Sequence, residues 1–366
     1  MSGHFDCHPG AMAVEATKQQ HTPATSPSNT PPQALTPHDS PMLEPTFEPT
    51  MPEAHQVMSQ QMQRRRVCSV GDTASRAPMI YGGSTLTDVC DTLEHEEFSG
   101  HSSAVMIGDD GTVQGILTEN DILKAYSDEA PWQYDVDLWL QSGEARIPGW
   151  LLPVLTIKGS MPLVEAAAKM AVQRLGDFAC HHLLLSGGAL GRFHILSALD
   201  IAMALCNGDL GPDAIGQGVT VADVMKDREH VAECKGTDTI KGAFDTLLNS
   251  AQNCALVVEQ HGGFVYGTIT PRDAMRAFVE HVPEGTAVAG WLRGVGTSPD
   301  PRRVDANTPI VDAAQVMVSN SWHHLLVVEP GTVKVIGVVS CLDIVSLIGA
   351  RRLGETPEQL QEVWAQ

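Results

Sequence analysis

The chain has 366 residues, a formal net charge of −21, 43% hydrophobic residues and 18% charged ones. That length suits two to three domains, and the composition supports a buried core. The acidity excludes a domain-wide basic footprint for nucleic acid, disfavours anionic membrane surfaces and mildly disfavours polyanionic ligands.

Residues 1–75 are rich in Pro, Ser, Thr, Gln and His, and such a stretch cannot bury enough apolar surface to offset its ordering entropy. A disordered tail is expected there, ending in Arg64-Arg65-Arg66 before Ser69; this run resembles a basophilic kinase site and is read as a short basic linker. The N-terminus has no apolar h-region, and no run approaches the roughly 18 apolar residues of a membrane helix. The eight cysteines form no C-x-x-C, so reduced buried thiols are expected rather than disulfides or a zinc ribbon. The expected compartment is the cytoplasm, with the nucleus as a second.

From residue 76 onward the chain repeats. Four apolar stripes have the i, i+3, i+4, i+7 spacing of an amphipathic helix: Leu86/Val89/Cys90/Leu93, Leu163/Ala166/Ala167/Met170, Ile240/Ala243/Phe244/Leu247 and Ile310/Ala313/Ala314/Met317. Thr85, Ser160, Thr237 or Thr239, and Asn307 or Thr308 are the expected helix starts. Short apolar strands follow at Ala104, Leu183, Ala255 and Leu325. Each leads to a Gly-bearing turn: Asp109-Asp110-Gly111, Gly187-Gly188, His261-Gly262-Gly263 and Pro330-Gly331. A second strand then runs into Thr118-x-x-Asp121, Ser197-x-x-Asp200, Thr270-x-x-Asp273 or Ser340-x-x-Asp343 and a second helix. The Ser or Thr lies 32, 34, 30 and 30 residues beyond the first stripe residue, so the four copies are in register.

Alone, a Ser/Thr-x-x-Asp is a helix capping box. The same geometry suits a nucleotide, since a carboxylate at N3 accepts from ribose hydroxyls and the helix N-terminus favours phosphate. His181-His182 and His323-His324 precede two of the strands. Adjacent strand residues point to opposite faces, so neither pair readily shares one ion, and no metal is expected. Arg272 is a candidate phosphate partner. There is no Walker A, G-x-S-x-G or H-E-x-x-H, and no G-x-G-x-x-G between strand and helix, so an enzyme is not expected.

A β-α-β-β-α unit ending in Gly-apolar-apolar-Ser/Thr-x-x-Asp-apolar resembles the CBS domain. Gly115-Ile116-Leu117-Thr118 to Ile122 and Gly337-Val338-Val339-Ser340 to Ile344 match that ending, and Gly267-Thr268-Ile269-Thr270 to Asp273 nearly does. Repeat 2, with His194-Ile195-Leu196-Ser197, lacks the glycine. Segments similar to the family's lead-in occur at Val136 to Leu140, Val221 to Met225 and Val288 to Leu292.

The resemblance implies an α+β fold of four CBS repeats, paired as two Bateman modules in a disc. Its expected divisions are 76–130, 148–206, 219–281 and 286–350, with a C-terminal helix in 351–366 started by Thr356 and Pro357. A four-repeat chain of this kind resembles the γ subunits of AMP-activated protein kinase and their SNF4-like relatives. That implies a regulatory subunit binding AMP, ADP or ATP, with no required cofactor and with kinase subunits as the candidate protein partner. Asp121, Asp200, Asp273 and Asp343 would hold ribose with Thr118, Ser197, Thr270 and Ser340 beside them. His182, His324 and Arg272 would face phosphate, the histidines being largely neutral near pH 7. The alternative is a ligand-free CBS scaffold for protein–protein interaction.

Overall fold

The computed structural model describes residues 68–94, 102–141, 155–172, 174–175, 178–186, 193–211, 213–260, 263–294 and 302–354. The tail up to residue 67, the Gly187-Gly188 and His261-Gly262 turns, and the expected helix start at Thr356 and Pro357 lie outside these residues.

Each repeat has the order read from the sequence. Repeat 1 runs through strand Met79–Tyr81, helix Leu86–Glu94, strands Ser103–Ile107 and Val113–Thr118, and helix Glu119–Ser127. Repeat 4 runs through Arg303–Asp305, Ile310–Asn320, His324–Val328, Val335–Ser340 and Cys341–Leu353. In all four repeats the first strand lies parallel to the second, and the second pairs antiparallel with the third.

The central strands are apolar on both faces because both faces are covered. In Ala255–Val258, Ala255 and Val257 face the helical core that joins repeats 1 and 3. Leu256 and Val258 instead meet Leu326, Val335 and Val338 of repeat 4. Alternation along a strand sends neighbours to opposite sides, so one strand serves two cores. Val105 and Ile107 likewise meet Leu184 and Ile195 between repeats 1 and 2. Helices close the other contacts. Glu119–Ser127 of repeat 1 packs on Pro271–Val279 of repeat 3, and Cys341–Leu353 of repeat 4 packs on Leu163–Val172 of repeat 2. Sheets thus join repeats 1 to 2 and 3 to 4, while helices join 1 to 3 and 2 to 4. The four repeats close a ring.

The lead-in segments do not dock on the repeats that follow them. Val70–Thr73, before repeat 1, lies on repeat 2: Val70 N donates to Met161 O at 2.9 Å and Gly71 N to Gly159 O at 2.8 Å. Val136–Gln141, before repeat 2, returns to repeat 1, where Val136 N donates to Ser84 O at 2.9 Å. The second pair repeats the exchange. Val221 N donates to Thr308 O of repeat 4 at 2.9 Å, and Val288 N to Asp238 O of repeat 3 at 2.9 Å. Two short strands follow the same route. Ser75 and Arg76 pair with Ile195 and His194 of repeat 2, and Lys226 and Asp227 with Val338 and Gly337 of repeat 4. This crossing accounts for the motif glycine of repeat 4. A Cβ on Gly337 would lie 2.5 Å from the Lys226 carbonyl oxygen.

Three sequence expectations need correction. The expected disordered tail to residue 75 extends too far, because Cys68 to Ser75 belong to the folded body. Val70 is fully buried in the core of repeats 2 and 4, an anchoring side chain that composition alone does not reveal. Ser160 and Asn307 or Thr308 do not start their helices. Pro162 and Pro309 do, their carbonyls accepting the first helical bonds from Ala166 and Ala313, both at 3.1 Å. Antiparallel bridges to Ser69 and Thr220 set those prolines in place. At the C-terminus, the helix of repeat 4 continues past 350 to Leu353 and stops at Gly354, whose φ of 76° is the left-handed helix cap that favours glycine.

Candidate ligand clefts and a central polar hub

The four N3 aspartates form the same local structure. Asp121 Oδ2 accepts from Thr118 N at 2.6 Å and Oγ1 at 2.9 Å. Asp200 Oδ2 accepts from Ser197 N and Oγ, both at 2.8 Å. Asp273 Oδ2 accepts from Thr270 N and Oγ1 at 2.8 Å, and Asp343 Oδ2 from Ser340 N and Oγ at 2.7 Å. Every copy is therefore a capping box, and in every copy one carboxylate oxygen is committed to the fold.

The other oxygen distinguishes the repeats. Asp200 Oδ1 accepts from Ser75 Oγ at 3.0 Å, and Asp273 Oδ1 accepts from Arg276 Nη2 at 3.4 Å. Among the described residues Asp121 Oδ1 and Asp343 Oδ1 take no hydrogen bond. Burial pushes the Asp121 carboxyl up to about 7, against the Thr118 bonds that pull it down. Burial also pushes Asp343 up to about 6, with the Ser340 bonds and Lys226 opposing it. These are carboxyls with spare acceptor capacity in poorly hydrated positions, and hydroxyl donors from a ligand would relieve both.

The N-termini of the second helices and the starts of the second strands meet where the ring closes. Asn120 Nδ2 donates to Asn253 Oδ1 at 2.9 Å, joining repeats 1 and 3. Asn253 Nδ2 lies 2.6 Å from His181 Nε2, which adds repeat 2. Arg272 Nη1 stands 3.7 Å from Glu119 Oε1 across the contact of repeats 1 and 3. Burial holds the His323 imidazole down to about 3, with Arg272 and His181 pushing the same way. Burial likewise holds His181 down to about 4. His324 is held well below the usual imidazole range, mostly by burial and then by His323, His181 and Arg302. Glu119 Oε1, Asn120 Oδ1 and His323 Nε2 are buried without hydrogen-bond partners.

The expected phosphate residues need redistribution. His324 and Arg272 do reach this hub. His182 instead turns to repeat 1, its Nε2 2.8 Å from Ser102 Oγ, while His181 takes the hub position. His181 stands just before the strand His182–Ser186, and the two adjacent imidazoles take different sides. Arg272 is not an open cation, because Glu119 stands beside it. Glu119, Asn120, Asn253 and Ser102 escape the sequence reading, since none belongs to a recurring motif. One signal does exist: Glu119 stands where the other repeats place Ala198, Pro271 and Cys341.

The CBS domain family matches residues 70–128 and 292–350, the segments of repeats 1 and 4. The chain thus carries two CBS domains. No curated protein matches it. Among solved structures, a Methanocaldococcus jannaschii protein proposed as an archaeal homolog of g-AMPK is 15% identical, with a TM-score of 0.54; the match covers 76% of this chain and 98% of that one. An uncharacterized conserved protein of Pyrococcus horikoshii is 16% identical with a TM-score of 0.47, covering 76% and 99% of the two chains. A Pyrobaculum aerophilum CBS domain protein complexed with AMP is 20% identical with a TM-score of 0.28, covering 34% and 89%. At such identities the first of these likenesses is one of fold. The family match ends on the CBS motifs of Asp121 and Asp343, the two carboxylates left with an open oxygen. Among the described residues no helix is long and apolar enough to cross a membrane.

Proposed function

We propose that this CBS-domain protein is a regulatory adenine-nucleotide sensor that binds AMP, ADP or ATP and acts on a protein partner rather than by catalysis. The observation that carries the reading is the open Oδ1 of Asp121 and of Asp343, each on an N3 carboxylate whose other oxygen is already fixed. A ribose diol supplies the missing donors, and the helix N-terminus beside it favours a 5′-phosphate. The hub gives a route for the signal. All four CBS repeats contribute side chains to it, so a ligand that alters one contact biases the packing of the others. The archaeal fold neighbour's description suggests protein kinase subunits as the first partner to test.

Calorimetric titration of the full chain with AMP, ADP and ATP tests the ligand. Saturable binding to any of them, lost when Asp121 and Asp343 are both replaced, supports the reading. Isolation of the native complex and mass spectrometry tests the partner. The scaffold reading is favoured by one observation, that all four aspartates already cap helices; failure of every nucleotide to bind would select it.

A further inference from the structure

We infer that Glu119 makes the hub a charge filter, so that the site at Asp121 takes adenosine ligands with no more than one phosphate and rejects the triphosphate. The inference rests on the nucleotide reading above and narrows its ligand.

The hub is built from acceptors and neutralised cations. Its guanidinium, Arg272, is countered by Glu119 at 3.7 Å, and the Glu119 side chain is only 11% exposed. A second cation, Arg302, gives Nη2 to the Thr268 carbonyl at 3.4 Å. The remaining basic-capable groups facing inward are imidazoles. His181 is committed to Asn253 at 2.6 Å. Burial keeps His181, His323 and His324 neutral near pH 7. Two of the buried atoms without a hydrogen bond, Glu119 Oε1, which faces the Arg272 guanidinium, and Asn120 Oδ1, are acceptors, so they offer nothing to a phosphate oxygen.

Position makes this decisive for the ligand. Glu119 and Asn120 are the first two residues of the helix whose third is Asp121, and Arg272 directly precedes Asp273. A nucleotide with its ribose on the N3 carboxylate sends its phosphates towards these residues. One phosphate can be held by the helix N-terminus alone. Burial raises the Glu119 carboxyl to about 7, against the pull of Arg272, so above that pH each further phosphate adds negative charge near a carboxylate in a site of low dielectric, where repulsion is poorly screened.

The test is calorimetric titration of the full chain at pH 8 with adenosine, AMP and magnesium-free ATP. The expected result is AMP binding at least about tenfold tighter than ATP, a difference of about 1.4 kcal/mol. In Glu119→Gln, of nearly the same shape, ATP affinity should rise about tenfold and the AMP-to-ATP ratio should narrow. A thermal melt shows whether the variant is folded, and Glu119→Ala provides a second removal of the charge. ATP binding as tightly as AMP to the unmodified protein overturns the filter and leaves the nucleotide reading standing. So does an unchanged ratio in folded variants. If none of the three compounds binds, the nucleotide reading falls and the filter falls with it.

Discussion

Replacing Asp343 with Asn separates ligand binding from helix capping. One amide oxygen can keep the capping bonds that Oδ2 now accepts from Ser340 N and Oγ at 2.7 Å. The amide nitrogen then stands at Oδ1, a donor where ribose hydroxyls need an acceptor. The lost charge-assisted bond costs about 1.5–3 kcal/mol, or roughly ten- to a hundredfold in AMP affinity. Stability should move the other way. Burial raises the Asp343 carboxyl from 3.8 to about 6, so folding favours its protonated form. The group's contribution therefore falls as pH rises from about 4 to about 6, and above that the penalty is complete, up to about 3 kcal/mol. A neutral amide removes the penalty, and at pH 7.5 the melting temperature of Asp343→Asn should equal or exceed that of the parent. Asp200→Asn is the control. Ser75 Oγ already donates to Asp200 Oδ1 at 3.0 Å, so the change should cost about 1 kcal/mol of stability and little affinity. Calorimetry and thermal melts on both variants read the two quantities. An Asp343→Asn protein that melts several degrees earlier and binds AMP as tightly per folded molecule would refute the assignment.

A chain starting at residue 76 should be less stable than one starting at 68, by at least the roughly 1.5–3 kcal/mol of burying Val70; equal denaturant midpoints for the two would show that the lead-in contributes nothing. Limited proteolysis should accordingly leave a fragment that retains Cys68 to Ser75. Gly337→Val should destabilise by about 1–3 kcal/mol in urea unfolding, because its Cβ would press on the Lys226 carbonyl, and a neutral effect would place the crossing strand wrongly. His323, held down to about 3, contributes stability that is complete above its unfolded value near 6.5 and is lost as pH falls towards 3. The advantage of the parent over His323→Gln in melting temperature should therefore shrink between pH 6.5 and pH 4, and a constant difference would contradict a buried neutral imidazole.

The repeat was legible because its signals are local. A stripe such as Ile310/Ala313/Ala314/Met317 repeats with the helical period, and Ser340 with Asp343 forms a capping box wherever it occurs. The aspartates could be named from sequence, whereas their inequality could not. Whether Oδ1 is open depends on Ser75, 125 positions from Asp200 in sequence, and on Arg276 one turn beyond Asp273. The hub was illegible for the same reason. Asn120, Asn253 and His181 come from three repeats and meet only when the ring closes. The tail boundary was misplaced because composition averages over a window, whereas Val70 acts as a single anchor.

The exchange of lead-ins sets the order in which the protein can be made. During synthesis Val70–Thr73 and Ser75 emerge before repeat 2, which holds their partners Gly159, Met161 and Ile195. Repeat 1 in turn waits for Val136 to return to Ser84. No single repeat of this chain can complete itself on the ribosome, and the smallest unit in which the exchange of lead-ins is complete is a pair. Pairing of this kind delays the reward for closing long loops, which slows folding. A cut in residues 142–154 of the folded protein would leave Val70 to Arg76 of the first fragment docked on repeat 2 in the second, so a nicked pair should stay together until it is denatured.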